Sequence, residues 1–275
     1  MLDEKKCVIL SEVKGSKLLR GRAAIVAMSC LILFSACTDY VSQIDERYGE
    51  WNASNDLLSS SSIKVVDPAD VIVGFMTDSR DGQTYKTVKI GSQTWMAQNL
   101  NYKTANSYCY YNFGKDSLSY CTKYGRLYTW VAAVDKTDDA CGVGYCCSLP
   151  SGDIQGVCPA GWHLPSKDEW NTLFSEVGGS STAGIKLKST SGWFDYNYYS
   201  NNGSDDFSFS ALPAGYKGGG DYVADGEGYY AYFWSSTEGE GGCEGAYNME
   251  LSHGMIAHLD NYAKGFAYSV RCLKD

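Results

Sequence analysis

The sequence predicts an α+β domain built from short, twisted antiparallel strands with one or two helices and stapled by disulfides. Three observations predict it. Twenty-two Tyr, seven Trp and thirty Gly stand against only five Pro in 275 residues, a turn-rich aromatic composition that suits sheet. The apolar blocks are short and punctuated by Gly, Asn and Asp. Eleven cysteines are present, and most of them lie beyond an export-type leader.

In that leader, Lys14, Lys17, Arg20 and Arg22 precede a twelve-residue apolar run at 23–34, too short to span a bilayer. It ends in Phe34-Ser35-Ala36-Cys37. Small residues before a cysteine look like a bacterial lipobox, with cleavage after Ala36 and lipid on Cys37. Phe34 stands where that motif usually has Leu, and an ordinary signal peptide with an incidental cysteine is the alternative. Residues 1–36 are therefore read as a lipoprotein signal peptide. Removing them takes six basic and three acidic residues, leaving 17 and 29, a formal charge of −12 against −9 for the whole chain. Such a charge excludes nucleic acid as a partner and disfavours an anionic membrane surface. Thr38, not Asp, follows the lipid site, which in enteric bacteria sorts a lipoprotein to the outer membrane. The expected location is the cell envelope, lipid-anchored in the outer membrane and displayed at the surface.

Residues 37–72 read as a flexible tether: polar, charged and Ser-rich, with Ser59 to Ser62 in a row and no persistent periodicity. Short strands fit within it near 63–66 and 71–75.

The folded domain is expected over 73–275. A turn-rich opening at 78–82 leads to Tyr85, Val88 and Ile90, then Gly91-Ser92 and a second run from Gln93. Gly first in a two-residue loop predicts a hairpin with a II′ turn. Trp95, Met96 and Leu100 are candidate core residues. Residues 124–134 are apolar and suit a helix or a strand-to-helix junction. The stretch Cys158 to Trp170, CPAGWHLPSKDEW, organises the domain. Ser166 with Glu169 three residues on makes a capping box. Trp170, Leu173, Phe174 and Val177 form one apolar helical stripe, and Gly178-Gly179 ends it, so a helix is predicted over 167–177. A shorter helix is expected at 182–188. Residues 207–212 and 247–251 alternate like strands, 230–234 suit a buried strand, and 265–273 read as one central strand.

Cys7 and Cys30 leave with the leader. Eight cysteines remain beyond Cys37: Cys109, Cys121, Cys141, Cys146, Cys147, Cys158, Cys243 and Cys272. An even count in an exported chain reads as four disulfides. Cys109 and Cys121 flank a polar loop holding Asn112, Gly114 and Asp116, a compact staple. Cys158 with Cys272 would tie the middle of the domain to its last strand. The other four pair among themselves in an open order, the neighbours Cys146 and Cys147 outward rather than with each other. A zinc site is the rival, but the C-x4-C-C spacing departs from paired C-x2-C ligands.

No H-E-x-x-H, G-x-S-x-G or Walker loop occurs, and no carboxylate spacing singles out an acid/base pair. His163 lies in the structural turn and suits a hydrogen-bonded core role; His253 and His258 suit a surface loop or hairpin. Asp205, Asp206, Asp221, Asp225, Glu227, Glu238 and Glu240 could offer oxygens to calcium, without an EF-hand pattern. No other cofactor is implied, and whether a metal binds stays open. Tyr196, Tyr198 and Tyr199, with Tyr229 and Tyr230, are the candidate ligand-binding residues. Exposed aromatic faces stack on sugar rings; the alternative is core and sheet packing.

Several ordered blocks, DGQTYKTVKIGSQTWMAQNLNY (81–102), CTKYGRLYTW (121–130), GVCPAGWHLPSKDEW (156–170) and GFAYSVRCLKD (265–275), resemble the Fibrobacter succinogenes major paralogous domain (FISUMP). FSALPAGY (209–216) and AYFWSSTE (231–238) fit the same pattern. The resemblance runs from about residue 78 to 275. The family occurs on exported bacterial proteins, often lipoproteins. Its sequence plan is similar to the C-type-lectin-like fold of formylglycine-generating enzymes, which implies terminal strands that meet. Lectins of that fold commonly bind calcium and sugar through Glu-Pro-Asn or Gln-Pro-Asp followed by Trp-Asn-Asp. Leu212-Pro213-Ala214 and Trp234-Ser235-Ser236 stand in comparable places and lack those ligands.

The expected function is a non-enzymatic, lipid-anchored surface module that binds an extracellular glycan, such as a plant-cell-wall polysaccharide, or a surface protein. A structural envelope lipoprotein and an enzyme acting on extracellular polymers are the alternatives.

Overall fold

Two sheets meet along the last residues of the chain in the computed structural model, which describes residues 65–110, 117–218, 224–240 and 243–275. All of these belong to one unit, residues 63–275. The leader, Cys37 and most of the tether lie outside the described residues, as do Asn112, Gly114, Asp116 and Asp221.

In chain order the first half contains β1 (Ile72–Thr77), β2 (Thr84–Ile90), β3 (Gln93–Met96), β4 (Ser107–Tyr108), α1 (Ser117–Tyr124), β5 (Leu127–Thr129), α2 (Trp130–Ala133) and α3 (Asp138–Cys141). Then come β6 (Trp162–His163), α4 (Lys167–Glu176), α5 (Ser180–Leu187), β7 (Ala214–Lys217) and β8 (Ala224–Glu227). The chain continues through β9 (Ala231–Glu238), β10 (Gly245–Leu251), β11 (Ala257–Ala263), β12 (Ala267–Tyr268) and β13 (Leu273–Lys274). One sheet runs β1-β2-β3-β13-β6; the other runs β11-β10-β9-β7-β12-β5-β4, with β8 on β7. The fold is mixed α and β, rich in sheet, with few helices.

Between β2 and β3 the loop is Gly91-Ser92, closed by Ile90 opposite Gln93. Gly91 takes φ +56°, and a Cβ there would collide with the Glu176 carboxyl group. That carboxylate accepts the Ser92 N–H at 2.9 Å and its hydroxyl at 3.0 Å, so the end of α4 holds the hairpin turn.

α4 starts where the capping box places it. Ser166 Oγ accepts the Glu169 N–H, and Glu169 Oε2 accepts the Ser166 N–H at 2.8 Å. The stripe Trp170, Leu173 and Phe174 is buried, Val177 is the C-cap, and Gly178 and Gly179 stop the helix at φ +99° and +96°. Trp170 stacks on Trp95 of β3 with ring centroids 4.5 Å apart. Phe209 and Phe233 close that core, while Trp130, Trp234 and Tyr268 anchor a second one. In the second core Trp130 donates its indole N–H to Ser235 O at 2.8 Å and Trp234 donates to Tyr128 O at 2.7 Å.

Several expectations are corrected. Residues 207–212 are no strand. Phe207, Phe209 and Ala211 are buried in alternation, but Ser208 and Ser210 sit at φ +54° and +53°. Arg271 donates to the carbonyls of Phe209 and Ser210, so a guanidinium does the work of a neighbouring strand. Residues 265–273 are not one strand either. β12 pairs with β5 and β7 in the larger sheet, and β13 pairs with β3 and β6 in the smaller. Between them Arg271 turns inward and Cys272 bonds Cys158. The 124–134 segment resolves into β5 followed by α2, capped by Thr129. Among the described residues, the helices beyond the two expected are α1, the single turns α2 and α3, and a 3-10 turn at Pro68–Asp70. Val66 donates its N–H to Glu176 O and packs on the core, and β1 begins at Ile72.

Among the described residues four disulfides form, Cys109–Cys121, Cys141–Cys147, Cys146–Cys243 and Cys158–Cys272. The neighbours Cys146 and Cys147 pair outward.

Candidate functional site

The loop 192–200 builds an aromatic edge. Trp193 anchors it inside, its Nε1–H donating to Ser189 Oγ at 3.2 Å and Ala211 O at 3.1 Å. Phe194 then emerges, its N–H bonded to Gly228 O at 2.8 Å and its ring edge-on to Tyr229 at 5.2 Å. Tyr196 and Tyr199 exchange both backbone hydrogen bonds, at 2.9 and 3.0 Å. The two residues between them, Asn197 and Tyr198, have φ +49° and +69°, the pattern of a type I′ turn. Tyr196 stacks on the imidazole of His253, centroids 4.2 Å apart. Tyr198 is fully exposed at the tip, beside the exposed Tyr199.

A buried cation fixes this edge from below. Lys188 is 1% exposed, and its Nζ donates to Asn201 Oδ1 at 2.8 Å and to the carbonyls of Ser252 and Gly254, each at 3.1 Å. One ammonium thus ties the 192–201 loop to the turn between β10 and β11 that carries His253. Burial pushes its pKa down to about 8. Gly184 of α5 lets the same turn approach, since a Cβ there would meet the Met255 and Ile256 carbonyls.

Of the five candidate tyrosines, Tyr196, Tyr198, Tyr199 and Tyr229 are exposed. Tyr230 instead packs against the core, stacked on Tyr232 at 5.7 Å. Phe194 and His253, neither of them among the five ligand-binding candidates, join the edge. Their signal is contact across the fold, Phe194 with Gly228 and His253 with Tyr196, which local spacing cannot carry.

The acidic loop residues that are described do not converge. Asp205 accepts from the Ser210 N–H at 2.7 Å, Asp225 from the Gly226 N–H at 2.7 Å, and Glu227 from the Tyr124 hydroxyl at 3.0 Å. Glu238 holds Lys264 and the Cys147 N–H; Glu240 holds the Tyr247 hydroxyl at 3.1 Å. Asp206 is exposed. Among the described residues, the group with metal-ligand spacing is Asp153, His163 and Glu169, whose donor atoms lie within 4.8 Å of one another. His163 Nε2 is 2.9 Å from Glu169 Oε1 and Nδ1 is 2.8 Å from Asp275 Oδ1. Burial lowers its pKa, but those two hydrogen bonds outweigh burial and hold it up to about 9. A metal needs a neutral imidazole with a free nitrogen. This donor set suits an imidazolium bridging two carboxylates, a structural role. His253 and His258 are both exposed.

The family model described as Fibrobacter succinogenes major domain (Fib_succ_major) matches residues 88–274, which include all four disulfides. No curated protein and no solved structure matches the chain.

Proposed function

The chain belongs to the Fibrobacter succinogenes major domain family, and from that premise we propose that it is a non-enzymatic binding module that adheres to an extracellular glycan through its aromatic edge. Tyr198 carries the reading. Its backbone is left-handed at φ +69°, a conformation that costs a bulky L-residue roughly 1–2 kcal/mol and that Gly adopts freely. Its ring is fully exposed and makes no ring contact or hydrogen bond among the described residues. Strain kept at a solvent-facing aromatic points to recognition, not packing. Phe194, Tyr199, Tyr229 and the Tyr196–His253 stack extend the surface, and their faces match the apolar C–H faces of pyranose rings.

In this reading Cys37 carries the lipid, the tether holds the domain off the outer membrane, and the frame is C-type-lectin-like. The pairing of β13 between β3 and β6, locked by Cys158–Cys272, supports that frame. A plant-cell-wall polysaccharide is the sharpest version of the ligand. Calcium has no part in the reading, because the acidic loop residues with described partners are held by protein groups.

The test is retention of the oxidised protein, in detergent, on insoluble polysaccharides, with and without chelator. Retention lost in Tyr198→Ala/Tyr199→Ala supports the reading. Absence of retention on every polymer sinks it and favours a structural envelope protein, for which the four cystines speak.

A further inference from the structure

A recess lies between the β2–β3 hairpin, α1 and the chain around Ser210. Its volume is about 380 Å³, at the small end of the ~300–1,000 Å³ typical of ligand sites. Three cations line it, Lys86, Lys123 and Arg271, and among the described residues no carboxylate does. In a chain of formal charge −9 this is a local inversion of sign.

Arg271 is the unusual member. It is 1% exposed, yet its three hydrogen bonds go only to neutral oxygens: Asn99 Oδ1 at 2.9 Å, Ser210 O at 2.9 Å and Phe209 O. A guanidinium has five N–H donors, so two remain. No carboxylate lies within ion-pair distance of it among the described residues. Asp205, the acid whose field it feels, is committed to the Ser210 N–H and hydroxyl. Buried charges are ordinarily paired. Asn99 fixes the guanidinium and is itself saturated, donating to Tyr124 O and Ser269 Oγ. Lys86 is exposed and without an ion-pair partner among the described residues; Lys123 reaches Glu227 at 4.0 Å and lies over the Tyr124 ring at 4.4 Å.

A further polar group is independent of charge. Asn101, on the same wall, has a buried Oδ1 with no hydrogen-bond partner. An acceptor needs a donor, which an ionised carboxylate or phosphate cannot provide and a hydroxyl can. The recess also adjoins the aromatic edge: Tyr124 on its wall donates to Glu227, two residues before Tyr229.

We infer that this recess binds a saccharide bearing a carboxylate, a uronate, with the acid group facing Arg271, Lys86 and Lys123 and a ring hydroxyl donating to Asn101. The inference rests on the glycan reading and names its ligand class.

Calorimetric titration of the oxidised full-length protein in detergent tests it, with tetragalacturonate as probe and cellotetraose as neutral counterpart. Tetragalacturonate is expected to bind more tightly, with affinity falling as salt rises. Lys86→Gln/Lys123→Gln changes two exposed side chains and should weaken it at least tenfold while leaving thermal unfolding unchanged. Asn101→Leu should weaken tetragalacturonate but not acetate. Uronate binding untouched by the lysine pair would overturn the assignment to this recess. Absence of uronate binding, with neutral polysaccharide still retained through Tyr198 and Tyr199, would overturn this inference and leave the glycan reading standing. Absence of both would remove the glycan reading itself.

Discussion

His163 bonds Glu169 through Nε2 at 2.9 Å, and the same carboxylate closes the cap of α4 on Ser166. Nδ1 meets Asp275 at 2.8 Å, so one imidazolium joins β6, the helix cap and the residue following β13. The folded pKa of about 9 lies above the unfolded 6.5. A raised pKa contributes stability that is complete below the unfolded value and is lost as pH rises through the folded one. Lys188 runs the other way: depressed to about 8, it returns stability between 8 and 10.5. Urea unfolding should therefore show stability falling from pH 6.5 to 8. His163→Gln should flatten that slope and cost on the order of 2–4 kcal/mol at pH 6.

Tyr198→Gly separates folding from recognition. Gly relieves the left-handed strain, so the variant should be about 0.5–1 kcal/mol more stable by chemical unfolding. Its retention on polysaccharide should fall. A variant that gained stability and kept full retention would remove Tyr198 from the binding surface.

The disulfides should rank by the chain they close. Cys158–Cys272 spans 114 residues and Cys109–Cys121 spans 12. Chain entropy assigns them roughly 5 and 3 kcal/mol. Paired Cys→Ser variants, unfolded in guanidinium, should show the larger loss for the longer loop.

Lys264 is a buried joint. Its side chain is wholly enclosed, bonded to Glu238 and to Tyr145 O at 2.8 Å, with Trp130 at 4.7 Å. Glu238 also holds the Cys147 N–H at 3.0 Å. Lys264→Met should cost about 2–4 kcal/mol by stranding that carboxylate. A double-mutant cycle with Glu238→Gln should return coupling of about 1 kcal/mol or more.

What the sequence disclosed was local chemistry. The capping box, the stripe from Trp170 to Val177 and the Gly91-Ser92 loop are settled by residues a few positions apart, and the structure has all three. The segments 207–212 and 265–273 misled because their alternation and apolarity are real but their hydrogen bonds go elsewhere. The Phe209 and Ser210 carbonyls are taken by Arg271, more than sixty residues away. α1 passed unread because only Tyr120, Cys121 and Tyr124 on it are buried, too short a stripe to stand out among polar neighbours. At the candidate site, exposed tyrosines on one loop were legible. The stack on His253, the Lys188 anchor and the cationic recess were not, because each is assembled from distant stretches.

The division of 267–274 between both sheets bears on how the protein is made. β12 and β13 follow in synthesis every strand they pair with, so neither sheet is complete until they emerge. Cys158 must wait as a thiol for a partner 114 residues later. During that interval Cys141, Cys146 and Cys147 lie close by in sequence and compete for it. Oxidation ahead of the final strands would trap wrong pairs, so native yield depends on thiol exchange, and a catalyst of disulfide isomerisation would raise it.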